Sequence, residues 1–107
     1  MANKGLSKAP ARSSDLDEVR RLVSEGLRGY KARIYLFGSW AKGNAGRASD
    51  IDVAVMPLEP IPRHVFGEIR SALEESLIIH TVDLVDLSGA SEDFRERVLR
   101  EGVSWND

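Results

Sequence analysis

The chain has 107 residues, a formal net charge of −2 and no cysteine, so it has room for one small domain with a single modest core and for no disulfide or thiolate metal site. No apolar run is long enough to cross a bilayer and no signal-peptide core stands near Met1, which makes a cytoplasmic location and the absence of membrane contact the expectation. Without a positive net charge, a concentrated basic face or an interleaving of aromatic and basic residues, direct nucleic-acid binding is not expected.

Residues 1–12 are polar, include Gly5 and Pro10 and show no periodicity; they read as a flexible leader, with 13–107 forming the single domain. Ser13 or Ser14 offers an N-cap, and Asp15, Asp17 and Glu18 follow in the first turn, where the helix dipole favours negative charge. Leu16, Val19, Leu22, Val23 and Leu27 then recur at helical spacing, with Gly26 and Gly29 marking the end. A strand over about Ala32 to Phe37 leads into Gly38-Ser39. The segment from Trp40 to Ser49 is too rich in Gly and Asn for a long helix, but one turn after Ser39 is expected, capped by Ser39 with its N–H groups free to face a phosphate. Trp40, beside a core strand, reads as packing, with stacking on a base or a partner left open.

A second strand carries Val53-Ala54-Val55, and Met56 to Pro62 reads as a proline-punctuated connector. The next helix is expected from about Arg63 to Ile78, with Val65, Phe66, Ile69, Ala72, Leu73, Ser76 and Leu77 on its buried face. His64, at its start, reads as an exposed helix-end residue. Ile79 to Leu87 forms a third strand. A last helix follows Ser91, its expected cap, with Phe94, Val98 and Leu99 as apolar contacts and Gly102 as its stop. Residues 103–107 read as a tail whose Trp105 either packs back or docks a partner.

The chemistry concentrates between Phe37 and Val55, FGSWAKGNAGRASDIDVAV. Residues two apart in a strand share a face, so Asp50 and Asp52 project together while Ile51 enters the core. Adjacent carboxylates repel unless a cation lies between them, and hard oxygen ligands suit magnesium, which fills its remaining positions with water and substrate phosphates. A turn with Gly38, Gly43 and Gly46 lets backbone approach phosphates, Ser39 adds a hydroxyl, and Lys42 and Arg47 are candidate cations for a triphosphate tail. In the third strand, Asp83 and Asp86 fall on opposite faces, so only one of them can join Asp50 and Asp52.

Gly38-Ser39, ten intervening residues and then Asp50-Ile51-Asp52 resembles the signature of the nucleotidyltransferase superfamily related to DNA polymerase beta. Gly38-Ser39-Trp40-Ala41-Lys42-Gly43 followed by Ser49-Asp50-Ile51-Asp52-Val53 is similar to its minimal, single-domain branch. The resemblance implies an α/β fold with a short mixed sheet and helices mainly on one face. It implies a site in which Asp50, Asp52 and Asp83 are catalytic and hold two Mg2+ ions, with Asp83 matching the third acidic position. Gly38, Ser39, Lys42, Arg47 and Ser49 would bind the nucleotide. It further implies ATP as donor, AMP transfer to a tyrosine, and a helical HEPN-type toxin as partner and acceptor, this chain being the antitoxin. Two alternatives stay open at this point: an antitoxin that acts by binding alone, and an enzyme for a small acceptor working with a substrate-binding subunit. Self-association as a homodimer without the partner is likewise open.

Overall fold

The structure, a computed structural model, describes residues 10–43 and 50–106. Most of the expected leader, residues 1–9, lies outside that range. Helix α1 (Pro10–Gly26) begins earlier than the cap expected at Ser13 or Ser14. The first N–H groups of a helix have no intrahelical acceptor, so Pro10 at the start forfeits no hydrogen bond. The apolar spacing then buries Val19 and Val23, and Leu27 extends the stripe by donating its N–H to the Val23 carbonyl at 3.1 Å.

Strand β1 (Ala32–Phe37) is followed by the single helical turn α2 (Ser39–Lys42) and by β2 (Ile51–Pro57). The connector expected from Met56 therefore starts later. Strand β1 is long enough to pair antiparallel with β2 along its whole length, from Phe37 opposite Asp52 to Ala32 opposite Pro57, and a proline is tolerated where the strand ends. Helix α3 (Arg63–Glu75) supplies the crossover that a parallel neighbour requires, and β3 (Val82–Asp86) pairs parallel with β2. After the 3-10 turn Leu87–Gly89, α4 (Glu92–Glu101) runs to β4 (Val103–Ser104). The four strands form one mixed sheet in the order β3-β2-β1-β4.

Two expectations about the middle of the chain are corrected. Helix α3 stops at Glu75 rather than near Ile78, because Ser76 turns back on it. The Ser76 hydroxyl donates to the Leu73 carbonyl at 2.6 Å and accepts from the Ile78 N–H at 3.3 Å, local bonds that compete with helix continuation. Val65, Phe66, Ile69 and Leu73 are buried as expected, but Leu77 is 96 % exposed and Ile79 84 % exposed. The third strand accordingly begins at Val82, not at Ile79.

Helices α1 and α3 cover one face of the sheet. Their Val19, Val23, Phe66 and Ile69 pack on Ile34, Leu36, Val53 and Leu84. The opposite face carries a smaller cluster in which Val98 of α4 meets Tyr35, Ala54 and Leu87, flanked by Phe37 and Phe94. With both faces covered, β1 and β2 show continuous buried runs, Ile34-Tyr35-Leu36 and Val53-Ala54-Val55, rather than alternation.

The segment expected as a tail is part of the fold. Gly102 closes α4 by donating to the Val98 carbonyl at 2.7 Å, and β4 pairs antiparallel with β1. Trp105 packs back into the larger cluster at 8 % exposure, its N–H bonded to the Ile34 carbonyl at 2.8 Å and its carbonyl accepting from the Arg20 guanidinium. The Asn106 amide continues the ladder by side chain, accepting from the Ile34 N–H at 2.9 Å and donating to the Ala32 carbonyl at 2.8 Å. Trp105→Ala should therefore lower the unfolding free energy by about 3–5 kcal/mol, the usual cost of truncating a buried aromatic residue, as read from urea unfolding. A change below about 1 kcal/mol would return the segment to the status of a tail.

Candidate active site

Three strand ends converge at one end of the sheet. Strand β1 runs out at Phe37, whereas β2 and β3, parallel to each other, both start there. The register places Phe37 opposite Asp52 across the antiparallel pair, and Asp52 beside Asp83 across the parallel pair. Asp50 stands just before β2. Asp52 shares a sheet face with Ala54, and Asp83 with Val85, which is the face covered by α4. The parallel register sets Asp52 beside Asp83, and Asp50, although outside the strand, is near enough for its charge to act on Asp52. Asp86 belongs to a different job: its carboxylate accepts from the Ser88 N–H at 3.0 Å and hydroxyl at 2.7 Å, capping the 3-10 turn.

Asp52 is half-buried, whereas Asp50 and Asp83 are exposed. Burial, then the neighbouring Asp83 and Asp50 charges, hold the Asp52 carboxyl above the usual aspartate range. Among the described residues, no three His, Cys, Asp or Glu side chains form a ready-made metal cage. The electrostatics nonetheless fit a divalent cation. An ionised Asp52 is opposed by two like charges, and hard carboxylate oxygens are the donors magnesium takes.

Gly38 is required on two counts. Its φ of +75° lies in a region that L side chains rarely adopt, and a Cβ at this position would overlap Asp52 Oδ2 and sit 3.3 Å from Asp52 Cγ. The turn is thus pressed directly against the central carboxylate. Gly38, not Ser39, takes the cap position of α2, with no side-chain cap bond. Its carbonyl accepts from the N–H groups of Ala41 and Lys42 at 3.1 Å each. Ser39 sits at the first helical position, which a residue with a φ near +75° could not fill. Gly43 closes the turn in the left-handed conformation, φ +79°. Lys42 is exposed at the end of α2; Arg47 and Ser49 lie outside the described residues.

Sequence reasoning missed two contributors. The imidazole of His80, 5 % exposed, lies 3.6 Å from the Asp15 carboxylate and meets the Trp40 ring edge-on at 5.1 Å, so it ties α1 to the turn that carries Ser39. Trp40 is partly buried and packs against the main core, in line with the packing reading. The second is Arg97 of α4, which lines a cavity of about 270 Å3 together with Phe37, Gly38, Lys42, Val98 and Glu101. No spacing rule flags either residue; His80 braces the Trp40 turn from outside the site, and Arg97 comes to the cavity on α4.

A family model described as Polymerase beta, Nucleotidyltransferase matches residues 30–104. The chain is 34% identical over 89 residues to a Haemophilus influenzae protein named "Probable protein adenylyltransferase MntA", spanning 83% of this chain and 76% of that one. A chain in the crystal structure of a toxin-antitoxin with AMP-PNP is similar at 33% identity and a TM-score of 0.63, over 82% of this chain and 73% of that one. Another neighbour comes from the complex of a tri-AMPylated Shewanella oneidensis HEPN toxin with its MNT antitoxin. It is 27% identical, with a TM-score of 0.65, over 90% of this chain and 73% of that one.

Because the folded-state pKa of Asp52 is raised, its ionisation opposes folding. Asp52 is neutral in both states below the ordinary aspartate value and charged in both above the raised folded value, so stability is lost as the pH rises through that window and stays lost above it. Asp52→Asn removes the penalty. In metal-free buffer it should raise the Tm by a few degrees near pH 7, and the difference should close as the pH falls below about 4. Melting curves across pH check this; a large drop in Tm at pH 7 would instead make Asp52 a structural residue.

Proposed function

Since the chain belongs to the polymerase beta-type nucleotidyltransferases, we propose that it is a protein adenylyltransferase that acts as an antitoxin, transferring AMP from ATP to a tyrosine hydroxyl of a HEPN-type helical toxin in the cytoplasm. The observation that carries this reading is the placement of Asp52, pressed against the Gly38 turn and flanked by Asp83 and Asp50. Two comparisons support a protein acceptor: one relative is named a probable protein adenylyltransferase, and one structural neighbour comes from a complex of an AMPylated HEPN toxin with its MNT antitoxin.

The three carboxylates would hold two Mg2+ ions, which when bound neutralise phosphate charge and acidify the attacking hydroxyl. The remaining work falls to the chain itself. Gly38, having no Cβ, leaves the backbone open to the phosphates next to Asp52, and Ser39 adds its hydroxyl at the start of α2. Asp83, exposed and beside Asp52 in register, accepts the proton of the acceptor hydroxyl. The hydroxyl oxygen bonds to the α-phosphorus, the bond from that phosphorus to the α,β-bridging oxygen breaks, and pyrophosphate departs with the electron pair. Alignment and charge stabilisation supply most of the acceleration in such a transfer.

Intact-mass measurement of the HEPN partner copurified with this chain and incubated with Mg-ATP is the test. The partner should gain one or more AMP units, and Asp50→Ala should slow that gain by about 100-fold or more while leaving the Tm near that of the parent chain. Tight copurification without any gain in mass would reduce the chain to a binding antitoxin.

A further inference from the structure

The cavity between the Gly38 turn and α4 is walled by the turn on one side, through Gly38 and Lys42, and by α4 on the other, through Arg97, Val98 and Glu101. None of the three carboxylates lines it, but Gly38 does, and Gly38 also packs against Asp52. At about 270 Å3 it falls just below the roughly 300–1,000 Å3 of sites that enclose a whole small ligand, which suits the tail of a ligand rather than its body. Its chemistry is the reverse of the carboxylate cluster's. Two cations face it, and among the described residues neither Lys42 nor Arg97 has an ion-pair partner, while the single carboxylate, Glu101, is engaged by Arg100 at 3.9 Å.

Arg97 is also held in place. Its guanidinium lies over the Phe94 ring at 5.6 Å, Phe94 meets Phe37 edge-on at 5.7 Å, and Phe37 is the register partner of Asp52. Two ring contacts thus run from the guanidinium to Phe37, the residue that the strand register sets opposite Asp52. Arginine matches phosphate oxygens in a bidentate fork that lysine cannot reproduce.

We propose that Arg97 is a specificity-determining residue that binds the β- and γ-phosphates of the nucleoside triphosphate across the cavity from Lys42, and that it stays on the pyrophosphate as it leaves. The inference rests on the nucleotidyl-transfer reading above and names a contact which that reading does not need. With the α-phosphorus at the carboxylates, the tail of the nucleotide runs past Gly38 into the cavity. When the bond to the α,β-bridging oxygen breaks, the negative charge that develops on pyrophosphate falls between two cations. A nucleoside monophosphate has no group that reaches Arg97, so the residue discriminates by phosphate number.

Calorimetric titration of the full chain with ATP, ADP and AMP in the presence of Mg2+ tests this, using the parent, Arg97→Gln and Arg97→Lys. Arg97→Gln should weaken ATP binding by about 10-fold or more, leave AMP binding within about twofold, and melt within about 2 °C of the parent, as expected of a surface substitution. Arg97→Lys should recover part of the loss. If the parent binds ATP and Arg97→Gln binds it equally well, or if AMP binding falls as much as ATP binding, the assignment is overturned while the nucleotidyltransferase reading stands. If the parent binds none of the three nucleotides, that reading falls and takes the assignment with it.

Discussion

The rest of the structure is arranged around one unfavourable contact, the Asp52 carboxylate held half-buried beside Asp83 and Asp50 and against the backbone of Gly38. Left to themselves, like charges separate and carboxylates seek water. Here the β1–β2–β3 ladder prevents both, because the register that aligns Ile34 with Val55 and Val53 with Leu84 in the core also aligns Phe37 with Asp52 and Asp52 with Asp83 at the end of the sheet. Slipping β2 by one residue to relieve the carboxylates would turn Ile51 and Val53, both fully buried, to the other face. Hydrophobic burial on the α1/α3 side thereby holds a polar cluster together on the α4 side.

That division of labour accounts for the two unequal cores. The larger cluster, under α1 and α3, contains most of the fully buried side chains and includes Trp105 from the end of the chain. The smaller one, under α4, is bounded at the functional end by Phe37 and Phe94, which stand between the core and the cation Arg97. Carboxylates and cations are thus set on either side of the Gly38 turn. A triphosphate, which must give up one phosphorus to an acceptor and release the rest as an anion, calls for opposite charges in that order.

The candidate site was legible in the sequence where its determinants are local. Strand parity separates Asp83 from Asp86, whereas its pairing of Asp50 with Asp52 on one strand face meets a β2 that starts only at Ile51. Gly38-Ser39 after an apolar strand signals a phosphate-facing turn. The mixed sheet and the resemblance to nucleotidyltransferases followed from the same residues. What sequence missed was decided by tertiary contacts or by competing local bonds. Trp105 and Asn106 read as tail residues because nothing nearby in sequence reveals that β1 has a free edge for them. The end of α3 was overestimated because the apolar spacing of Leu77 and Ile78 continues past the point where Ser76 turns back on Leu73. His80 and Arg97 carry no spacing signal, since their contacts, with Asp15 and Trp40 for one and across the cavity from Gly38 for the other, join segments far apart in the chain. Ser39 read as a cap, although a cap with positive φ selects glycine, and Gly38 was already there.

The most direct test of this account is the thermal stability of the chain with Mg2+ and a non-hydrolysable ATP analogue added singly and together, compared with Asp52→Asn. If the carboxylate cluster is built for a cation that arrives with nucleotide, the pair should raise the Tm of the parent by several degrees. At a hundredfold excess over Kd, such binding is worth about 2.7 kcal/mol. Either component alone should do much less, and Asp52→Asn should lose most of the response. An equal response in Asp52→Asn, or none in the parent, would contradict the claim that Asp50, Asp52 and Asp83 form the reaction centre.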